Sequence, residues 1–365
     1  MIRVLHVVTY MGRGGIETML MNYYRKLDKE KIQFDFLVHR DFVADYDDEI
    51  LSLGGKIYRL TKLNPFSLDY IKRLDSFFRE HSEYKIVHSH IDSMSSIPLK
   101  YAKKYGIPVR IAHAHNCAEE KNIKYYFKLY YKRKLKNYAN VFMACSDEAG
   151  KWLFGGNEYS LLRNAIDTDL YKFDDSIRIL KRRELGVSDG TLVIGNVARF
   201  YPQKNHSFMV KVFKELLLCK PNSILVFVGE GDSNNIKSEI EQECVELGIK
   251  DKVMFLGVRN DVPQLLQAMD VFFFPSLFEG LPVSIIEAQT SGLPCLISDK
   301  VPIECKKSDL VYVCKLTENI SAWVSKLIDI SKNDRKDGRN AIIKSGFDIY
   351  ENVKQLEKFY YNKLI

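Results

Sequence analysis

The stretch that decides the fold is Phe278-Glu279-Gly280-Leu281-Pro282-Val283-Ser284-Ile285-Ile286-Glu287-Ala288, which follows the apolar run Val271-Phe272-Phe273-Phe274. Pro282 suits a first helical position, where its fixed φ is pre-organised and its missing N–H costs nothing, so a helix is predicted from Pro282 to Ser291. Gly292 and Pro294 stop it. Glu279 then lies in the loop before the helix and Glu287 in its second turn, with the free amides of Gly280, Leu281 and Val283 between them. A helix start of this kind attracts phosphate, and an ionised carboxylate accepts two hydroxyls at once. One acid can take sugar hydroxyls and the other a ribose diol, so the arrangement suits a nucleotide-sugar ligand.

Outward from this stretch, short apolar runs alternate with longer periodic segments, the rhythm of βα units around parallel sheets. The first series of predicted strands is Arg3 to Thr9, Phe34 to His39, Ile57 to Leu60, Ile86 to His90, Val109 to His115 and Val141 to Ser146. The second is Leu192 to Ala198, Ser223 to Val228, Val253 to Leu256, Val271 to Pro275 and Pro294 to Ser298. Tyr159 to Val187 joins the two. At the end, Ile349, Val353, Leu356, Phe359 and Tyr360 recur with a helical period.

Length and composition agree. With 365 residues, 46% of them hydrophobic, the chain can bury two cores, so two domains are expected. No apolar run reaches the length of a membrane span, and Met1-Ile2-Arg3-Val4-Leu5-His6-Val7-Val8 reads as a strand start, not a signal peptide, so a cytoplasmic protein is expected. Seven cysteines (Cys117, Cys145, Cys219, Cys244, Cys295, Cys305 and Cys314) are scattered without a Cys-x-x-Cys and read as reduced packing residues.

The net charge of +7 is concentrated in the first half, where residues 1 to 180 hold 29 Lys and Arg against 23 Asp and Glu. Most of the excess comes from Lys121 to Lys136, which has no acid and interleaves aromatics with cations, Lys124, Lys128, Lys132, Arg133 and Lys136 among them. On a helix, Ile123, Phe127, Tyr130, Tyr131, Lys134 and Leu135 share one side. Such a face can lie on an anionic membrane, where each basic residue contributes about 1 kcal/mol, or pack on its own domain. No nucleic-acid recognition motif accompanies it.

Gly12-Arg13-Gly14-Gly15-Ile16-Glu17 follows one strand and precedes a helix, as a dinucleotide fingerprint does, but Glu17 stands where the third glycine belongs. The second series opens with Ile194-Gly195-Asn196-Val197-Ala198-Arg199, and Arg199 and Lys204 fall beyond a strand's carboxyl end, where α/β sheets bind ligands. Two fixed cations there stabilise the charge that gathers on a departing diphosphate. Val228-Gly229-Glu230-Gly231-Asp232 and Phe255-Leu256-Gly257-Val258 also sit at strand ends. His88 with His90, and His113 with His115, each fall on one face of a strand at a spacing that suits a metal. No metal is expected, because carboxylate ligands are missing nearby and no Asp-x-Asp is placed as in metal-dependent sugar transferases.

These motifs resemble the retaining family-4 glycosyltransferases over nearly the whole chain. The family signature is a Glu, seven residues and a second Glu after an apolar strand, here Glu279 and Glu287; Phe278, the Gly-Leu-Pro and Ala288 to Pro294 match as well. The resemblance implies a GT-B fold, two Rossmann-like α/β domains with a donor cleft between them. Residues 1–175 would be the acceptor-binding domain, 176–345 the nucleotide-sugar-binding domain, and 346–365 a helix crossing back to the first. Asn164-Ala165-Ile166-Asp167 departs from the usual Asn-Gly-Ile-Asp at Ala165.

By resemblance, Arg199 and Lys204 bind the diphosphate, amides of Gly14 and Gly15 approach it, and Glu287 takes the ribose. Glu279 with Gly280 and Leu281 takes the sugar, and Gly229, Glu230 and Val258 border the nucleotide. His115 reaches the transferred sugar as the catalytic residue of the first domain. Transfer would retain configuration through a same-face attack assisted by the leaving phosphate, without metal or cofactor. His113-Ala114-His115-Asn116 and Ala144-Cys145-Ser146-Asp147-Glu148-Ala149-Gly150 are most similar to bacterial enzymes of capsular and exopolysaccharide assembly. That implies a nucleotide-sugar donor, UDP by its prevalence in the group, a saccharide acceptor on a polyprenyl diphosphate, and the inner membrane face. Two alternatives stay open: a UDP-sugar 2-epimerase of the same fold, and a non-catalytic sugar-nucleotide-binding partner subunit.

Overall fold

The computed structural model describes residues 1–116, 123–231, 235–335 and 337–364. Cys117, Lys121, Asn122, Asp232 and the side chains of Ile123 and Lys124 lie outside the described residues.

The chain divides into two compact units, one of residues 1–166 with 346–365 and one of residues 167–345. The first carries β1 (Ile2–Val8), β2 (Ile32–Val38), β3 (Ile57–Arg59), β4 (Ile86–Ser89), β5 (Val109–Ala114), β6 (Val141–Ala144) and β7 (Ser160–Leu161). They form a parallel sheet in the order β3-β2-β1-β4-β5-β6-β7. The second carries β8 (Leu192–Val197), β9 (Ser223–Val228), β10 (Val253–Phe255), β11 (Val271–Phe274), β12 (Cys295–Ser298) and β13 (Val311–Cys314), parallel in the order β10-β9-β8-β11-β12-β13. Crossover helices cover both faces of each sheet, so strand residues of both parities are apolar. In β11, Val271 and Phe273 join one core of the second unit, and Phe272 and Phe274 the other. In β1, Val4 and Val8 face one core of the first unit while Leu5 and Val7 face its other.

In each sheet the strand order reverses beside the first strand of the unit: between β1 and β4 in one, between β8 and β11 in the other. Loops leaving the carboxyl ends on either side of such a reversal splay apart and open a crevice. Gly14, Gly15 and His90 follow β1 and β4; Arg199, Lys204 and Glu279 follow β8 and β11.

The chain leaves the first unit at Ile166 and re-enters it at Gly346, nine residues ahead of the boundary expected at 175. A bridge between Ile166 and Asp348 fixes the crossing. The final helix, Ile349–Asn362, starts where the Asp348 carboxylate accepts the Glu351 amide, and it buries Ile349, Val353, Leu356 and Tyr360 in the first unit. Ala165 is fully buried and does not take a positive φ, so the departure from glycine there is free of strain. Two strands escaped the sequence reading: β7, only two residues long, and β13, whose Tyr312 and Val313 are not buried.

Candidate functional site

The second unit brings Lys204 and Glu279 together from positions 75 apart in sequence. Lys204 ends a tight turn, Pro202–Lys204, after β8; Glu279 stands in the loop after β11. The Lys204 Nζ lies 2.7 Å from Glu279 Oε1, and the two side chains keep only 18% and 6% of their exposure. The turn and the loop are clamped along their backbones. Gln203 accepts from the Leu277 amide at 2.8 Å through its carbonyl and donates to the Phe278 carbonyl at 2.8 Å through its side chain. Asn205 donates to the Pro275 carbonyl at 3.1 Å. Arg199 is exposed, its guanidinium 4.9 Å above the Tyr201 ring.

The helix after Glu279 runs Val283–Thr290, with Pro282 as its cap and not its first residue, because a ψ of 107° keeps Pro282 extended. Gly292, at φ +65°, turns the chain out of the helix. Glu287 sits in the second turn and accepts from the Tyr171 hydroxyl at 2.8 Å. Burial pushes its carboxyl up to about 7, and that hydrogen bond opposes the rise. Arg335, half-buried and pushed down to about 9 by desolvation, donates to the carbonyls of Ser291, Leu266, Gln267 and Met269, so it ties the helix end to the neighbouring segment.

Gly229 and Gly257 meet at the rim, the Gly229 amide donating to the Gly257 carbonyl at 2.9 Å. Gly229 has φ +138°, and a β-carbon there would lie 2.1 Å from the Ala198 carbonyl oxygen, so only glycine fits. Glu230 is exposed and pairs with Lys237 at 2.9 Å, which holds its carboxyl below the ordinary range. Val258 is 55% exposed.

In the first unit, Gly14 caps the helix Gly15–Lys26. The Glu17 carboxylate already lies against it, 2.1 Å from where a Gly14 β-carbon would be, so the chain's own acid meets this helix start; Gly15 faces open space. The expected histidine pairs do not stay separate. His6, His88, His90, His113 and His115 gather on one face of the sheet, with His6 Nδ1 2.9 Å from His90 Nε2, His90 Nδ1 3.0 Å from His115 Nε2, and His88 Nε2 3.2 Å from His113 Nδ1. Burial pushes His6 and His115 down to about 3 and the other three well below their ordinary value, so all five are neutral. Asp92, at φ +45°, accepts the His115 backbone amide at 2.8 Å, but among the described residues no carboxylate joins the clustered histidine nitrogens. Asp-x-Asp triplets do occur, but Asp47 is held by Arg59 and Asp169 by Arg339.

The aromatic helix, Ile123–Tyr138, splits its expected stripe. Leu135 is buried and Tyr131 packs beside it, while Phe127 and Tyr130 are half exposed. Lys132 is folded back, its Nζ over the Trp152 ring and donating to the Trp152 carbonyl, whereas Arg133 and Lys136 are exposed and Lys128 is half-buried. Phe66 stands edge-on to Phe127 at 5.6 Å and is itself exposed.

Tyr171, Gln203, His6 and Asp92 were not among the sequence candidates. Only His6 had a visible signal, as the one polar residue facing inward between Val4 and Val8.

Two family models match in succession: Glycosyltransferase Family 4 over residues 13–170 and Glycosyl transferases group 1 over residues 178–347. The chain is 35% identical to the putative glycosyltransferase EpsF of Bacillus subtilis (strain 168), across 98% of this chain and 96% of that protein. It is 26% identical to the UDP-Gal:alpha-D-GlcNAc-diphosphoundecaprenol alpha-1,3-galactosyltransferase of Escherichia coli, across 100% and 98%. Among solved structures, Anabaena Alr3699/HepE in complex with UDP and glucose superposes with a TM-score of 0.80 at 17% identity, covering 99% of this chain and 100% of that one; the likeness is one of GT-B fold.

Proposed function

The chain belongs to glycosyltransferase family 4, and from that premise we propose that it transfers a sugar, with retention, from a UDP-sugar to a polyprenyl-diphosphate-linked saccharide in surface polysaccharide assembly. The observation that carries this reading is the Lys204–Glu279 pair, 2.7 Å apart, formed by the loops that follow β8 and β11 at the strand-order reversal of the second sheet. The UDP bound by the HepE neighbour and the lipid-linked acceptor of the galactosyltransferase relative support the choice of donor and acceptor.

In this reading Arg199 and Lys204 hold the diphosphate and stabilise it as the bond to the sugar breaks. Among the described residues the amides of Gly280 and Leu281 have no hydrogen-bond partner, and they face the sugar with Glu279. Glu287, fixed by Tyr171, takes the ribose diol. The acceptor hydroxyl attacks from the side the diphosphate leaves and gives its proton to a donor phosphate oxygen, so no separate protein base is needed and no metal takes part.

We further propose that Phe127, Tyr130, Lys128, Arg133 and Lys136 hold the protein against the anionic inner face of the membrane, where the acceptor resides. Lys132 has no part in this contact. Among the described residues no helix is long and apolar enough to cross a membrane.

Incubation with UDP-sugars and an undecaprenyl-diphosphate saccharide, followed by NMR of the product linkage, tests the reading. Acceptor-dependent UDP release with an unchanged anomeric centre supports it; interconversion of two donors without acceptor would replace it with the epimerase alternative.

A further inference from the structure

We propose that His90, His113 and His115 form a binding site for a divalent transition-metal ion of the Zn2+ class. One nitrogen from each of the three lies within 4.8 Å of the others. Two come from a His-x-His on β5 and its end, so their side chains leave one face of the strand side by side. The third follows the neighbouring strand β4. Two imidazoles at i and i+2 of a strand with a third from the next strand enclose an ion without backbone movement; in a tetrahedral Zn2+ site with Zn–N of about 2.0–2.1 Å the ligand nitrogens stand roughly 3.4 Å apart.

The outer nitrogens are the stronger part of the case. A metal-bound imidazole needs its second nitrogen fixed by a partner, which sets the tautomer and aims the lone pair. His113 Nδ1 is fixed by His88 at 3.2 Å, and His88 Nδ1 in turn lies 2.8 Å from the Tyr360 hydroxyl. His90 Nε2 is fixed by His6 at 2.9 Å. With His113 Nδ1–H donating to His88 and His90 Nε2–H donating to His6, the nitrogens turned toward the site are His113 Nε2 and His90 Nδ1; His90 Nδ1 lies 3.0 Å from His115 Nε2, a contact that a bound ion replaces. Among the described residues His113 Nε2 and His115 Nδ1 are buried without a hydrogen-bond partner that meets the geometry of one, which leaves polar nitrogens at the site for an ion to engage.

The charge and access also fit. Asp92 places a carboxylate next to the site by accepting the His115 amide at 2.8 Å and the Asn116 side-chain amide at 2.6 Å. It offsets part of the cation's charge. His115 is half-buried at the strand end and gives the ion a way in. The overlapping triad of His6, His88 and His90 is wholly buried; here His6 and His88 are the outer supports and His90 the shared ligand.

The test is titration of the chelator-treated full chain with Co2+, read by visible absorption. The expected result is one equivalent bound with the intense bands of tetrahedral nitrogen coordination, displaced by Zn2+, and a loss of affinity of at least about 100-fold in His90→Gln and in His113→Gln, each with an unchanged circular dichroism spectrum. X-ray absorption of the Zn2+-loaded wild type is the second measurement and should count three imidazole nitrogens, so the proposal stays testable if either variant misfolds. Octahedral Co2+, sub-stoichiometric binding or affinity unmoved in the folded variants overturns it. None of these readouts involves turnover, so their failure is separate from any failure of the transferase reading.

Discussion

Lys204 Nζ and Glu279 Oε1 are 2.7 Å apart, joined across the two central strands of the second sheet by residues that the sequence separates by three helices and three strands. A half-buried cation and a nearly buried carboxylate hold each other in place, and each keeps capacity for a ligand. Removing either one leaves the other unpaired. Glu279→Ala and Lys204→Ala should therefore each lower kcat of transfer by about 10²–10³-fold, the cost of losing one preorganised transition-state contact. The double variant should lose much less than the product of the two. Strict multiplicativity of the two losses in steady-state kinetics would show that the residues act independently.

Glu287 supplies a pH signature. Its carboxyl stands at about 7 in the folded protein against an ordinary 4.5, raised by burial. An acid raised on folding favours the protonated native state: that stabilisation is full below the ordinary carboxylate range and is lost as pH rises through about 7. Ribose recognition needs the ionised form. Unliganded stability should thus fall, and UDP affinity should rise, between about pH 5 and 8. Tyr171→Phe removes the hydrogen bond that favours the charged form and should move the affinity midpoint upward, which calorimetric titration at several pH values checks.

Two glycines of the rim separate backbone need from ligand need. Gly229→Ala places a β-carbon against the Ala198 carbonyl at φ +138° and should cost about 2–3 kcal/mol of stability. Gly280→Ala meets nothing within 4 Å and has no positive φ, so its stability should stay within about 0.5 kcal/mol of wild type. Urea unfolding of the two variants measures the contrast, and equal losses would contradict it.

Arg335 is a structural prediction. Its guanidinium is half-buried and donates to four carbonyls. Arg335→Met strands those acceptors and should cost about 3 kcal/mol or more. Arg335→Lys, without the planar fork, should recover less than half. Full recovery by lysine would mean that charge alone mattered.

For the membrane contact, Lys128→Glu, Arg133→Glu and Lys136→Glu together should weaken binding to anionic vesicles by at least about 100-fold, taking roughly 1 kcal/mol for each basic residue lost. UDP-sugar hydrolysis should be unchanged. Lys132→Glu alone should leave vesicle binding near wild type, because that ammonium is committed to Trp152. Unaltered sedimentation of the triple variant with vesicles would remove the membrane proposal.

How much was legible follows from range. Strand cores such as Val271–Phe274 and Ser223–Val228, and the helix period of Ile349, Val353, Leu356 and Tyr360, are local patterns and came out of the sequence within a residue or two. Pro282 was misread by one position because whether it opens or caps a helix depends on its ψ, which the loop imposes. The aromatic stripe was misread because packing against the core that Leu5 and Val7 face, not helical spacing, decides that Leu135 goes inward and Phe127 stays out. Long-range partnerships were hidden altogether. Nothing near Tyr171 announces Glu287, 116 residues away, and nothing in two His-x-His pairs says that β4 and β5 are neighbours or that His6 of β1 joins them. Five histidines become one cluster only once strand order is known.

The measurement that bears most directly on the central claim is a thermal-shift and hydrolysis screen against UDP-, GDP- and ADP-sugars with wild type, Glu279→Ala and Arg199→Ala. Stabilisation of the wild type by the UDP class, with slow sugar release that both variants lose, is the predicted result. A wild type that none of the three classes stabilises, or variants that still respond as the wild type does, would contradict a nucleotide-sugar site at the β8–β11 reversal.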